Sequence, residues 1–181
     1  MTTECYDLVK EFHIKFNQPV FSGGITKEIR DLRIRLLIEE LGETVVAWHE
    51  KGKILFADGL ADLLYVTAGA AVSCLDGKVA DRWETDASKP VPPVQLAMVV
   101  INLCNAIHVN HANDILSLQA EMVMDYIQRI AIRHQIPLRE CFLEVHKSNM
   151  TKTPRILQDG EKGGFKGPTY QPPNLAPLLG F

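Results

Sequence analysis

The stretches Glu39–Glu43 (EELGE) and Asp58–Asp62 (DGLAD) decide how this sequence folds and what it would bind. Within each stretch the acidic residues are close enough in sequence for a helix to place them on one side. The short segment 49–53 between the stretches favours a turn that makes the two helices antiparallel neighbours. Up to five carboxylates would then surround one point. Such charges repel unless a cation lies among them, and hard oxygen ligands suit Mg²⁺ or Mn²⁺.

The helices that carry these clusters are apolar both opposite and beside the acidic residues. Alone, Glu39, Glu40 and Glu43 would fit a solvated face. Asp62, however, lies in an apolar run, where an unpaired charge is costly. The helix that carries Glu39, Glu40 and Glu43 has one main apolar stripe, formed by Ile34, Leu37, Ile38, Leu41, Val45 and Trp48. Leu32, Leu36 and Ala47 flank its glutamates. The pattern therefore favours a covered cleft and a metal site over a solvated surface.

The gross composition is that of a globular protein. The chain has 181 residues, of which 46% are hydrophobic and 23% charged, and this length fits one domain. The net charge of −3 gives no reason to expect a nucleic-acid partner. The cysteines are scattered, so we expect buried free thiols. No secretory signal or membrane span is evident, and we expect a cytoplasmic protein with no membrane partner.

The periodicity is helical nearly throughout and predicts an all-α, antiparallel bundle of five to six helices. The predicted helices cover about residues 3–16, 26–51, 54–75, 94–111, 114–134 and 137–147. Thr26 is the expected N-cap of the second helix. Residues 81–93 form a polar connector, and residues 151–181 form an irregular tail that includes Gly160, Gly163 and Gly164.

A second chemical signal lies at the end of the last predicted helix, in Glu144–Lys152 (EVHKSNMTK). Taken alone, this segment fits a polar helix end that Asn149 closes. Beside a carboxylate–metal site, Asn149, Lys152 and His146 would suit phosphate oxygens. Downstream, Lys166–Pro173 (KGPTYQPP) would supply another cation and a lid, with Lys166 and Tyr170 at the substrate.

Four elements in order, 35–43 (RLLIEELGE), 58–66 (DGLADLLYV), 145–152 (VHKSNMTK) and 166–173, carry a resemblance to a known family. The chain resembles the all-α nucleoside triphosphate pyrophosphohydrolases, the MazG-like and phosphoribosyl-ATP-pyrophosphohydrolase-like superfamily. The resemblance covers about residues 5–76 and 135–173. It implies hydrolysis of a nucleotide between its α and β phosphates, with bound Mg²⁺.

The resemblance also implies roles for individual residues. Glu40, Glu43 and Asp62 look like metal ligands, and Glu39 looks like the catalytic residue that orients or deprotonates the attacking water. Asn149 and Lys152 look like phosphate contacts.

Two features depart from the family pattern. The second acidic motif is usually E-x-x-D, but Gly59 stands three residues before Asp62, so Asp58 is the substitute for the fourth ligand. In addition, residues 77–134 with two helices are inserted into the 1–150 domain. The insertion would extend a dimer interface, form the base pocket or mimic a partner subunit.

The sequence therefore predicts Mg²⁺-dependent hydrolysis of a nucleoside triphosphate, non-canonical or deoxy forms included, to the monophosphate and pyrophosphate. Alternatives are a phosphoribosyl-ATP or dUTP substrate, or a non-catalytic helical interaction module. The base pocket is expected near Asn17, Gln18, Phe21 and Trp48. Because two amphipathic helices cannot enclose a nucleotide alone, we expect a homodimer or a dimer of dimers.

Overall fold

The computed structural model describes residues 2–50, 52–83, 85, 86, 88, 91–154 and 164–181. Lys51, Gly160, Gly163 and parts of the 81–93 connector lie outside the described residues. The described elements are α1 (Glu4–Lys15), α2 (Lys27–Glu50), α3 (Lys53–Cys74), α4 (Pro93–His108), α5 (Asn113–Arg133), α6 (Leu138–Asn149), β1 (Thr153–Pro154), β2 (Gly164–Phe165) and a 3₁₀ turn (Pro177–Leu179). The all-α fold predicted from the sequence is confirmed.

Helices α2 and α3 form the most extensive helix pair and carry both acidic stretches. The backbone N–H of Ile29 donates to Thr26 Oγ1 at 3.4 Å, so Thr26 caps α2 as predicted. Leu32, Leu36 and Ala47 are buried beside the glutamates, whereas Glu39 and Glu43 themselves are exposed, so the acidic face is only partly covered. Ile38 is an exception to the predicted stripe, because it is 47% exposed.

Three helices end in the same way, with a residue in the left-handed conformation. Asn17, Asn110 and Gln135 have φ of 56°, 55° and 54° after α1, α4 and α5. The residue after each donates its N–H to a carbonyl five positions back, for example Gln18 to His13 at 2.7 Å. These bonds satisfy carbonyls that the helix ends leave open. Because of this turn, α4 ends at His108 and not at His111 as predicted.

Helix α3 is the core of the protein and packs against α1, α2, α5 and α6. By length and composition it could cross a membrane, but 72% of its most apolar 18-residue window is buried inside the protein. Burial by neighbouring helices accounts for this apolar sequence without a bilayer. All four cysteines are buried free thiols, as predicted.

The two inserted helices are integral parts of the bundle. Helix α4 packs against α2, and α5 packs against α3 and α6. Buried side chains such as Leu96 and Leu103 of α4 and Ile127 of α5 belong to the same hydrophobic core as α3. The insertion therefore covers the outer side of the α2–α3 pair.

The tail after α6 returns across the end of that helix. Strands β1 and β2, which the sequence did not predict, pair Thr153 with Phe165 in antiparallel register. Ser148 Oγ donates to the Gln171 carbonyl at 2.6 Å, and the Gln171 N–H donates to Thr151 Oγ1 at 2.8 Å. Leu175 and Leu179 are buried against the bundle. These contacts fix the described part of the tail beside α6.

Candidate active site

One cavity of about 290 Å³ lies between α1, α2, α3, α6 and the tail. Nine of the ten site residues predicted from the sequence line it: Glu39, Glu40, Glu43, Asp58, Asp62, Asn149, Lys152, Lys166 and Tyr170. The structure thus brings together side chains that are separated by more than a hundred positions in the chain.

His146 is the exception, because it does not line this cavity, and its predicted contact with substrate stays a prediction. Its Nδ1 lies 3.1 Å from the Tyr65 hydroxyl, and its ring stacks on that of Tyr65 behind the cavity wall. Burial lowers the pKa of His146, which favours the neutral imidazole. Tyr65 itself lines the cavity and hydrogen-bonds with Asn149. His146 therefore positions Tyr65 and, through it, Asn149.

The carboxylates on α2 and α3 perturb one another. Burial, followed by the charges of Asp58 and Glu40, raises the pKa of Asp62 to about 8, while Lys152 opposes the shift. Burial and Glu43 also raise the pKa of Asp58, which Lys166 opposes. Acidic side chains are thus crowded in a poorly solvated place, an arrangement found at functional sites.

The residues fit a divalent cation in chemistry, although they are not drawn together as a preformed site. Across the described ranges, no three His, Cys, Asp or Glu side chains are close enough to hold a metal ion as they stand. Asp58 Oδ1 is buried without a hydrogen-bond partner. A hard cation would satisfy this oxygen and remove the repulsion that raises the pKa of Asp62.

The structure explains why glycine stands at position 59. A Cβ at Gly59 would lie 3.0 Å from the Thr44 Cα, which is tighter than ordinary contact, so a larger residue would require α2 and α3 to shift apart where they cross. Thr44 Oγ1 lies 2.7 Å from the Glu40 carbonyl and 2.9 Å from the Gly59 carbonyl, and it ties the two helices together there. Position 59 therefore faces the helix crossing, and Asp58 lines the cavity instead.

Several cavity residues were not predicted. Phe12, His13 and Arg33 line the cavity, and His13 and Arg33 lie beside Gly69. The spacing of Arg33 from Glu40 places both on one face of α2, a signal that the sequence offered. His13 gave no such signal because it comes from α1.

The predicted base-pocket residues are not part of the cavity. Asn17, Gln18, Phe21 and Trp48 are absent from its described lining. Trp48 instead packs with Phe56 and His134 at a separate hollow. No described residue of the insertion lines the cavity, and the three predicted roles of the insertion stay predictions.

Comparison with protein families matches part of this arrangement. Residues 9–74 match the phosphoribosyl-ATP pyrophosphohydrolase family. This family belongs to the MazG-like all-α superfamily, so the predicted resemblance is confirmed for the segment from α1 to α3. The matched segment contains all five cavity carboxylates but not Asn149, Lys152 or the tail. Comparison with curated proteins and with solved structures gave no match.

The family match supports a pyrophosphohydrolase, a hydrolase of acid anhydrides. This activity agrees with the chemistry of the cavity, in which acidic side chains face amide and ammonium donors.

Proposed function

We propose that the protein hydrolyses a nucleoside triphosphate, non-canonical or deoxy forms included, to the monophosphate and pyrophosphate. The observation that carries this proposal is the single cavity in which carboxylates of α2 and α3 face Asn149 of α6 and Lys152 just after that helix. A cation site alone would not need these donors, whereas a polyphosphate has more oxygens than one metal ion reaches.

Glu40, Glu43, Asp58 and Asp62 would hold Mg²⁺, with Mn²⁺ as a substitute. The cation would offset the negative charge of the phosphates and lower the pKa of a bound water. Glu39 lies one position before Glu40 at the exposed rim of the cavity, where water has access. We assign Glu39 the role of orienting the attacking water and accepting its proton.

The reaction requires one bond to form and one to break. The water oxygen forms a bond to phosphorus, its proton passes to Glu39, and the P–O bond between the α and β phosphates breaks. The electron pair stays on the leaving pyrophosphate, where Lys152 and Asn149 stabilise the charge. Lys166 and Tyr170 of the tail would close over the phosphates, since the Lys166 ammonium lies 5.2 Å from the Tyr170 ring at the cavity.

Lys152→Met is expected to lower kcat/KM about a hundredfold, because a positive charge that faces the leaving group is lost. Steady-state release of pyrophosphate measures the effect. Lys147→Met is the matched control, because Lys147 is exposed on α6, five positions before Lys152, and pairs with Glu144 outside the cavity. Equal losses in the two variants would contradict a specific role for Lys152.

We also propose that a second copy of the chain covers the open side of the site. Ile38, Val46 and Leu55 are 47%, 55% and 58% exposed, and they line a groove together with the site residues Glu43 and Asp58. Apolar side chains grouped beside a functional site are typical of an interface. No nucleic-acid or membrane partner is proposed, and a cytoplasmic location stays a prediction.

Val46→Glu is expected to convert a dimer, or a dimer of dimers, to monomers, because it places a charge in the groove. Light scattering after size-exclusion chromatography measures the mass. Ile14→Glu is the control, since Ile14 is 65% exposed on α1 and outside the groove. A monomeric wild-type protein at all concentrations would contradict the second copy.

A panel of canonical and damaged nucleoside triphosphates, with phosphoribosyl-ATP and dUTP included, tests the function. We expect Mg²⁺-dependent formation of a monophosphate and pyrophosphate from at least one of them. The family match makes phosphoribosyl-ATP the second candidate substrate. A non-catalytic interaction module would neither turn over any member of the panel nor bind Mg²⁺ in a calorimetric titration, and that result would refute the proposal.

A further inference from the structure

Arg33 is a buried cation without a counter-charge at the end of the cavity near Gly69. Arg33 is 3% exposed, and its Nε and Nη2 atoms have no hydrogen-bond partner. None of the ion pairs among the described residues involves it. The nearest ionisable group that would stabilise its charge is Cys74, but burial raises the pKa of that thiol to about 11. A buried charge in this state is costly unless a ligand meets it.

His13 supplies an acceptor beside Arg33. The residue is 2% exposed, and its Nδ1 lies 2.8 Å from the Pro19 carbonyl. Since a carbonyl only accepts, Nδ1 carries the proton, and Nε2 carries a lone pair. Burial and the charge of Arg33 lower the pKa of His13 to about 3, so the ring stays neutral. The cavity end therefore holds one donor cation and one acceptor nitrogen.

Both nitrogens pack against the backbone of α3 at Gly69. A Cβ on Gly69 would lie 3.2 Å from His13 Nε2 and 3.3 Å from Arg33 Nη1, which is tighter than ordinary contact. The absence of a side chain at Gly69 therefore lets the two nitrogens lie beside each other in the cavity wall, where one ligand group would contact both. All three residues line the cavity.

The distance from the carboxylates suits a nucleotide. Gly69 lies two helical turns after Asp62 on α3, and Arg33 lies two turns before Glu40 on α2. At the rise of an α-helix, each separation is about 10 Å. The lining between the two ends includes the apolar side chains of Phe12, Leu36 and Val66. An apolar middle suits a base or sugar better than a phosphate, whose oxygens need polar partners.

We propose that Arg33 and His13 read the nucleobase, and that they select a base in which a ring N–H adjoins a carbonyl. The N–H donates to His13 Nε2, and the carbonyl accepts from the Arg33 guanidinium. Guanine, hypoxanthine, uracil and thymine present this pair, whereas adenine and cytosine do not. A carbonyl oxygen has two lone pairs, whereas a ring nitrogen has one. The carbonyl is therefore the better acceptor for the Arg33 guanidinium. The inference rests on the proposed function, because it places the base opposite the phosphates.

Calorimetric binding of nucleoside 5′-monophosphates in metal-free buffer tests the proposal without turnover. We expect GMP, IMP and UMP to bind about tenfold or more tightly than AMP and CMP. Arg33→Gln should remove this preference and should fold, because it eliminates a buried charge. Lys27→Gln is the matched control, as it removes an exposed cation from the same helix. Thermal unfolding checks that both variants are folded.

Gly69→Ala is the second variant, because alanine favours the helix while its methyl group would press against His13 Nε2 and Arg33 Nη1 and displace them. It should weaken binding of GMP, IMP and UMP about tenfold and leave the binding of pyrophosphate unchanged. Equal binding of all five monophosphates by the wild type would overturn the assignment. So would a loss of pyrophosphate affinity in Arg33→Gln, which would make Arg33 a phosphate ligand. Selective binding without any hydrolysis would refute the proposed function and leave the base assignment intact.

Discussion

Replacing Glu43 by Gln or Asp62 by Asn is expected to lower Mg²⁺-dependent pyrophosphate release by about a thousandfold or more. Each change removes one negative oxygen from the group that would hold the cation, while the side chain keeps its size. The loss should appear in kcat as well as in kcat/KM, because the cation acts on the reacting phosphate. Steady-state assays with the best substrate of the panel measure both constants.

Glu28→Gln is the matched control for these variants. Glu28 is an exposed glutamate at the start of α2, and it lines neither the main cavity nor the groove beside it. It should keep near-normal activity. Circular dichroism should show the helical content of the wild type in all three proteins. Near-normal turnover by Glu43→Gln or Asp62→Asn would refute the assignment of the carboxylates.

Asp62→Asn is also expected to stabilise the metal-free protein, by about 1–3 kcal/mol near neutral pH. The pKa of Asp62 rises from its ordinary value of 3.8 to about 8 on folding. Below 3.8 the carboxyl is protonated in both states and costs nothing. Between the two values the unfolded chain has lost a proton that the folded protein retains, so the stability of the wild type falls as the pH rises.

The gain from Asp62→Asn should therefore grow from about pH 4 to about pH 8 and then level off. Thermal unfolding of both proteins across this range in a metal chelator measures the difference. Other groups, such as the buried His13, are common to both proteins and cancel in the comparison. Mg²⁺ should raise the melting temperature of the wild type and not that of the variant. Asp76→Asn, at an exposed position, is the control, and a gain independent of pH would contradict the account.

Sequence periodicity was sufficient for the helices and for most of the site. Glu39, Glu40 and Glu43 lie on one face of α2 because of helical spacing alone, and a short turn is enough to place Asp62 opposite them. This part of the structure depends on local geometry, which a sequence reveals. Lys152 and its neighbours were assigned to the site because the order of the motifs resembles a known family. Helical spacing alone does not place them there.

The rest of the site depends on contacts between distant segments. His13 reaches Gly69 only because α1 packs on α3, and no periodicity in α1 marks that contact. By its residue type and its position near the end of α6, His146 suited a contact with phosphate. In the structure, the Tyr65 hydroxyl lies next to its ring. Trp48 seemed suited to a base and packs instead against Phe56, on the far side of the acidic cluster. Each of these outcomes is decided by tertiary packing.

The exposed position of Ile38 has a related cause. An apolar stripe in a sequence shows that a face is to be covered, and it does not show which chain covers it. The sequence also reveals five carboxylates at the site, but it does not show how burial changes the pKa values of Asp58 and Asp62. Only the packed structure shows that Asp62 is desolvated and that Asp58 Oδ1 has no hydrogen-bond partner.

The position of the cleaved bond is the sharpest test of whether the protein releases pyrophosphate from a nucleoside triphosphate. Phosphorus NMR of the reaction of wild-type protein with Mg²⁺ and the best nucleoside triphosphate identifies the products as they form. We expect equal amounts of monophosphate and pyrophosphate, and we expect neither product in the presence of a metal chelator. A nucleoside diphosphate with orthophosphate as the first product would contradict it.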